Sequence, residues 1–385
     1  MEKSCPLTAK RCGGCPLLGK PYPEQLAQKQ EKIKTLLGRY AKVEPIVSMA
    51  QPWHYRNKAV ATFTMLRGRL ACGTYVVGSH RVLPAVDCLL QDETLNKTIA
   101  AVRTAAAHCH WEAFDEDQGT GLVRHVLVRS AHASGQVMVV LVVGQLRLPG
   151  SRNFVAELRR TAPWVTTIVQ NYNARQTSVV LGQDAKILYG PGYITDTLCG
   201  LQFAISSRSF YQVNPVQTEK LYAKAIELAH LTGKETVLDA YCGIGTIGLC
   251  AAPKAKQVIG VERNPSGVKD AAANARRNKI TNAKFICADA TEWMSAAQAD
   301  GLQPDVVFLD PPREGTTLDC IAALTKMRPA RVVYISCNPE TLARDLGIFD
   351  KCGYRATTLT PFDLFPHTEH IEVVIQMTFC GDKRK

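Results

Sequence analysis

Five short apolar, β-branched runs, "ETVLDAY", "QVIGVER", "AKFICAD", "DVVFLDPP" and "RVVYISC", are spaced along residues 235–337 with segments of helical pattern between them. Such runs read as strands buried on both faces, and strands that alternate with helices bury those faces best as a parallel sheet covered on both sides. Two later runs, "YRATTLTP" and "HIEVVIQMTF", extend the series. The expected fold class is therefore α/β, with a doubly wound, Rossmann-like domain over residues 207–385. It is introduced by the helix-like "NPVQTEKLYAKAIELAHL".

The preceding residues have a different texture. Residues 41–206 carry the β-rich runs "LVRHVLVRSA", "QVMVVLVVG" and "VTTIVQNYN", with helical patterns near 92–108 and 152–161, which predicts an α+β domain. Residues 1–40 form a Cys-, Gly- and Pro-rich head followed by "PEQLAQKQEKIKTLLGRY", whose Leu26, Ile33, Leu36 and Leu37 fall at helical spacing. No repeat or low-complexity tract interrupts these regions.

Charge narrows the function classes. Lys and Arg total 46 against 34 Asp and Glu, a net +12 that suits a polyanionic partner such as nucleic acid. No stretch has the length and apolarity of a membrane span, and "MEKSCPLTAKRCGGCPLLGK" lacks the apolar core of a signal peptide, so a cytoplasmic protein with no membrane partner is expected. Its 14 cysteines, spread over 385 residues, read as thiols or metal ligands rather than a disulfide framework.

In doubly wound sheets ligands bind at the carboxyl ends of the strands. In "VLDAYCGIGTIGL" Gly243, Gly245 and Gly248 match G-x-G-x-x-G, and Glu262 ends the next strand where an acidic residue binds ribose hydroxyls. That pattern alone also fits a dehydrogenase. Asp239 turns the reading toward S-adenosylmethionine, because a carboxylate there suits an ammonium group and not a dinucleotide phosphate. Asp310 in "LDPPREG" forms a polar edge beside the reacting centre. Asp289, ending "FICADA", reads either as an acceptor for an adenine amino group or as a helix N-cap.

In "RVVYISCNPETLARDL" Cys337 stands between a buried strand and a helix begun by Asn338 and Pro339. It reads either as a packed small hydrophobe or as a nucleophile whose pKa is lowered by the helix dipole. Cys5, Cys12 and Cys15 in "CPLTAKRCGGC", with Cys88 in "PAVDCLLQDE", could hold zinc or an iron–sulfur cluster.

Taken in order, "DAYCGIGTIGL", "FLDPPREG", "YISCNPETLARDL" and "DLFPHTEHIEVV" resemble the RNA (uracil-5-)-methyltransferase family, and "SFYQVNPVQTEKLY", "YRNKA" and the cysteine head extend the likeness over nearly the whole chain. The resemblance implies Cys337 as the nucleophile that adds to uracil carbon 6 and Glu372 as the base that removes the carbon 5 proton. It implies S-adenosylmethionine contacts at Gln212, Tyr241, Glu262 and Asp310, with Thr246 standing where some members carry Asn. Gly243, Gly245, Asp239 and Asp289 complete the expected cofactor set.

For the head, the resemblance favours a [4Fe-4S] cluster on Cys5, Cys12, Cys15 and Cys88, as in ribosomal-RNA members, with zinc the second choice. It favours 23S rRNA as partner and substrate, and a shorter chain without the OB-like TRAM domain that some relatives carry before the head. A tRNA uracil-5-methyltransferase is the near alternative, and a non-catalytic RNA-binding protein the distant one. A monomer with no obligatory protein partner is expected. Cationic RNA contacts are expected in "YRNKA" and at Arg124, His125 and Arg129.

Overall fold

The computed structural model describes residues 5, 7–8, 10–84 and 87–381. Its C-terminal part is built on an eight-stranded sheet. In spatial order the strands are Lys42–Val43, Tyr354–Phe362, Glu372–Phe379, Arg331–Ser336, Val306–Leu309, Thr236–Asp239, Gln257–Glu262 and Ala283–Cys287. Every neighbouring pair is parallel except the two made by Glu372–Phe379, which runs antiparallel to both its neighbours. The central strands are buried along their length because helices cover both faces. This is the expected Rossmann-like α/β fold.

The central part is a seven-stranded sheet ordered Val82–Pro84, Arg69–Tyr75, Lys58–Leu66, Val123–Ser130, Val137–Val143, Val165–Tyr172 and Asp184–Tyr189. It is antiparallel except where Val137–Val143 meets Val165–Tyr172, and the helix Ser151–Thr161 makes that crossover. Helices Glu93–His108 and Ser151–Thr161 bury Leu95, Ile99, Phe154 and Leu158 against one face. From the opposite face Leu127, Met138 and Val140 share a core with the hairpin Tyr193–Leu198/Leu201–Ser206 and with Leu221 and Val237 of the C-terminal part. The two sheets are thereby joined by apolar packing.

The expected division at residue 40 does not follow the hydrogen bonds. Helix Tyr22–Leu37 buries Ile33 and Leu37 completely in the cluster containing Leu346, Phe349 and Tyr354, burial worth about 1.5–3 kcal/mol for each side chain. The chain then pairs Lys42–Val43 with Thr358 and Leu359. Residues 22–43 thus complete the C-terminal sheet, because the apolar face of that helix matches a surface that the C-terminal sheet and its helices leave open.

Candidate active site

Three neighbouring strands deliver the reactive groups to one edge of the sheet. Val306–Leu309 ends just before Asp310, and Arg331–Ser336 ends just before Cys337. Because the strand Glu372–Phe379 runs the other way, it begins at that same edge, and the register Ser336↔Val373 sets Glu372 beside Cys337. Asn338 caps the following helix, Pro339–Lys351, its side chain accepting from the Glu340 N–H. Its amide also donates to the Arg313 carbonyl at 3.1 Å, tying the Cys337 turn to the "DPPREG" loop.

The electrostatics of this edge correct one expectation. The Cys337 thiol is pushed up to about 11, not down, because burial and then the Glu372 and Asp310 carboxylates outweigh a backbone hydrogen bond and the Arg313 cation. Glu372 is buried and pushed up to about 8 by burial and by Asp310, with Arg313 opposing. Asp310 is pushed up to about 7 by burial. A thiol, two carboxyls and one guanidinium thus share a neighbourhood whose proton count changes near neutral pH.

Arg313 had no role in the sequence reading, although it stands in a quoted motif. Its guanidinium meets His370 Nδ1 at 3.0 Å. A second group seen only in three dimensions is Asp345, fully buried on the helix after Cys337. It accepts from the Thr316 N–H at 3.0 Å and the Tyr334 hydroxyl at 2.7 Å, and it pairs with Arg344, which also binds the Glu314 and Thr316 carbonyls. That network fixes the loop carrying Asp310 and Arg313.

The glycine loop lies at the same edge. Gly243 and Gly245 have φ of +54° and +83°, and Gly245 begins the helix Thr246–Ala251. A Cβ on Gly248 would stand 2.9 Å from Asp239 Oδ2 and 3.0 Å from Val258 Cγ1, so only glycine lets that helix sit on its strands. Glu262 accepts from the Gly243 and Asn264 N–H groups at 3.2 and 2.7 Å. Thr246 Oγ1 meets the Tyr222 hydroxyl at 3.1 Å, and Tyr241 OH lies 3.3 Å from Thr316 Oγ1. Gln212 precedes the helix Pro215–Leu228, its carbonyl accepting from Asn57.

Two of the expected cofactor residues also serve the local fold. Asp239 is fully buried beneath the loop. One oxygen accepts from Gly248 N–H at 2.9 Å while Oδ1 has no partner among the described residues, and burial pushes the group up to about 7. Asp289 is the N-cap of Ala290–Ala299, accepting from the Thr291 and Glu292 N–H groups.

In the head, the "CGGC" loop presses against the end of the Arg69–Tyr75 strand. A Cβ on Gly13 would lie 2.3 Å from Val77 Cγ2, and Cys12 bridges to Val76. Burial and the thiols of Cys88, Cys12 and Cys5, in that order, push Cys15 up to about 12, so the four cysteines share one electrostatic neighbourhood. Among the described residues no group of three or more His, Cys, Asp or Glu is drawn to metal-binding spacing.

The proposed RNA contacts separate in the same way. Arg124, His125 and Arg129 are buried, which removes them as surface phosphate donors. Arg124 binds Glu116 and the Asn173 and Arg175 carbonyls, Arg129 binds the Ser209 carbonyl, and burial with the adjacent Arg124 depresses His125 to about 4. In "YRNKA", Tyr55 and Asn57 are buried, whereas the half-buried Arg56 and Lys58 line a cleft of about 310 Å³ with Cys12 and Cys88.

Residues 173–378 match the sequence model of the tRNA (Uracil-5-)-methyltransferase family. The chain belongs to that family. It is 42% identical over 379 residues to an uncharacterized RNA methyltransferase of Halalkalibacterium halodurans, covering 97% of this chain and 82% of the relative. An uncharacterized RNA methyltransferase of Lactiplantibacillus plantarum is 44% identical over 370 residues, covering 95% and 81%. Among solved structures, the Pyrococcus abyssi tRNA (uracil-54, C5)-methyltransferase in complex with S-adenosyl-L-homocysteine superposes with a TM-score of 0.77 at 25% identity, over 98% of this chain and 87% of that one. The protein is an S-adenosylmethionine-dependent RNA (uracil-5-)-methyltransferase. No helix among the described residues is long and apolar enough to cross a membrane.

Proposed function

We propose that this chain methylates carbon 5 of uridine in 23S rRNA through a covalent Cys337 adduct. The observation that carries the mechanism is the meeting of Cys337, Glu372 and Asp310 at one sheet edge, in the register Ser336↔Val373. Uracil carbon 5 is a poor nucleophile. Addition of the Cys337 thiolate to carbon 6 converts the ring to an enolate whose carbon 5 is nucleophilic. S-adenosylmethionine supplies the electrophilic methyl group. Glu372 then takes the proton from carbon 5, the electrons return to the ring, and the bond from sulfur to carbon 6 breaks.

Gln212, Tyr241, Gly243, Gly245, Thr246, Glu262 and Asp310 form the cofactor site in this reading. Asp239 acts beneath the loop, its unpartnered buried Oδ1 and its bond to Gly248 making it a support for the glycine turn and a counter-charge for the ammonium group. Asp289 contributes at the adenine side while capping its helix. Cys5, Cys12, Cys15 and Cys88 would hold a [4Fe-4S] cluster, a fit supported by their shared neighbourhood around Cys15, with zinc as the second choice. Methyl transfer needs no electron, so the head's role is structural or RNA-orienting.

The second reading, tRNA as substrate, is favoured by the likeness to the Pyrococcus abyssi tRNA enzyme, which extends over 98% of this chain. Anaerobically purified protein incubated separately with unmodified 23S rRNA and unmodified tRNA, followed by nucleoside mass spectrometry, decides between them. 5-Methyluridine in 23S rRNA alone upholds the proposal, and 5-methyluridine in tRNA alone replaces its substrate. Retained transfer by Cys337→Ala would overturn the nucleophile. Iron and sulfide analysis of the same protein separates the cluster from zinc.

A further inference from the structure

Residues 363–371 lead directly into Glu372, contain no helix or strand, and are held by residues 17–55 as well as by the Asn214 and Gln217 amides, which donate to the Leu364 and Asp363 carbonyls. The Leu17 N–H donates to the His367 carbonyl at 3.1 Å. The Gln25 amide grips His367 twice, accepting from its backbone N–H at 3.0 Å and meeting its ring Nδ1 at 3.1 Å. Trp53 stacks on the His367 ring, centroids 3.8 Å apart and planes at 23°. Lys29 pairs with Asp363 at 2.6 Å and donates to the Phe365 carbonyl, while the Tyr55 hydroxyl donates to the Pro366 carbonyl.

His367 itself has φ +66°, an uncommon conformation for a residue with a side chain, which persists where its surroundings over-determine it. Gln25, Leu17 and Trp53 provide that constraint. The head reaches the loop by packing as well, since Cys15 and Cys88 lie against the same small cluster of Met49, Tyr55 and Leu90 as Phe365. One core therefore joins the cysteines to the approach to Glu372.

We infer that Gln25 and Trp53 are positioning residues for Glu372, and that the N-terminal segment serves the reaction by holding the loop that aims this base. The inference rests on the proposed role of Glu372. It predicts a particular failure: addition of Cys337 to carbon 6 and methylation of carbon 5 still occur, but proton removal from carbon 5 slows, so the sulfur–carbon bond persists. The reaction stalls as a covalent protein–RNA adduct.

The test uses Gln25→Ala, Trp53→Ala and the conservative Trp53→Phe in the full chain, with Glu372→Gln as control, on whichever RNA the wild type methylates. Adduct is quantified on denaturing gels, and hydrogen exchange of residues 363–371 is measured without RNA. Expected are an adduct fraction raised about tenfold in Gln25→Ala and Trp53→Ala, restoration toward wild type in Trp53→Phe, and faster exchange confined to 363–371. If Glu372→Gln traps adduct while Gln25→Ala and Trp53→Ala lose turnover without it, the inference falls and the role of Glu372 stands. If Glu372→Gln traps none, the role of Glu372 falls instead. Unchanged exchange at 363–371 in both alanine variants overturns the holding role whatever the gels show.

Discussion

Replacing Glu372 by Gln should make Cys337 more reactive, a counter-intuitive result for removing a proposed catalytic group. The thiol is pushed from 9.0 up to about 11, with burial the largest cause and the Glu372 carboxylate next. At pH 8 a thiol of pKa 11 is about one part in a thousand thiolate, against about one part in eleven at pKa 9. Since nucleophilicity rises with thiol pKa, the two-unit shift should slow alkylation about tenfold rather than a hundredfold. Removing one neighbouring carboxylate lowers the thiol by about one unit. Iodoacetamide labelling at pH 9, followed at the Cys337 peptide by mass spectrometry, should then run about threefold faster in Glu372→Gln. The size of the difference depends on pH. Glu372 titrates near 8, so below that it is protonated and exerts little push, and wild type and variant converge. Above 8 the curves separate. Coincident rate profiles from pH 7 to 10 would refute a shared Cys337–Glu372 pocket.

The upward shift of Glu372 also predicts that resolution of the methylated adduct, the step that needs its base form, quickens with pH and levels off above about 8, and that Asp310→Asn moves the break lower; single-turnover decay of the adduct across a buffered pH series tests both. Gly248→Ala drives a Cβ against Asp239 and Val258 and should cost about 1–3 kcal/mol in urea unfolding while weakening S-adenosylhomocysteine binding by calorimetry. Asp345→Ala strands the Thr316 N–H and Tyr334 hydroxyl, at about 1–3 kcal/mol each, so a loss near 3 kcal/mol is expected in the same unfolding assay.

The parts of the fold legible in the sequence are those whose cause is local. Each central strand is a β-branched run stopped by a polar residue, and Asn338 and Pro339 mark a helix start by their own chemistry. The parts that escaped depend on partners far along the chain. The helix dipole at Cys337 is visible in sequence, but the opposing carboxylate of Glu372 arrives only through strand pairing. Arg124 and Arg129 look like surface cations by type, yet the carbonyls of Asn173 and Ser209 give them buried partners. Likewise Ile33 and Leu37 announce an apolar face without naming the surface it covers.

Strand direction explains why this site requires the whole sheet. In an all-parallel sheet every strand delivers its final residue to the ligand edge, and its first residue lies a strand length away. Inserting one antiparallel strand, Glu372–Phe379, between Arg331–Ser336 and Tyr354–Phe362 reverses that rule once. A residue at the start of a strand then meets one at the end of its neighbour, so the Glu372 carboxyl and the Cys337 thiol come from adjacent strands with their spacing set by ladder hydrogen bonds. The cost is a connecting stretch, residues 363–371, that crosses the ligand edge without regular structure. Its backbone groups need partners from elsewhere. The N-terminal helix, Leu17 of the head and Tyr55 supply many of them, which is the physical reason that residues so distant in sequence bear on the placement of one carboxylate.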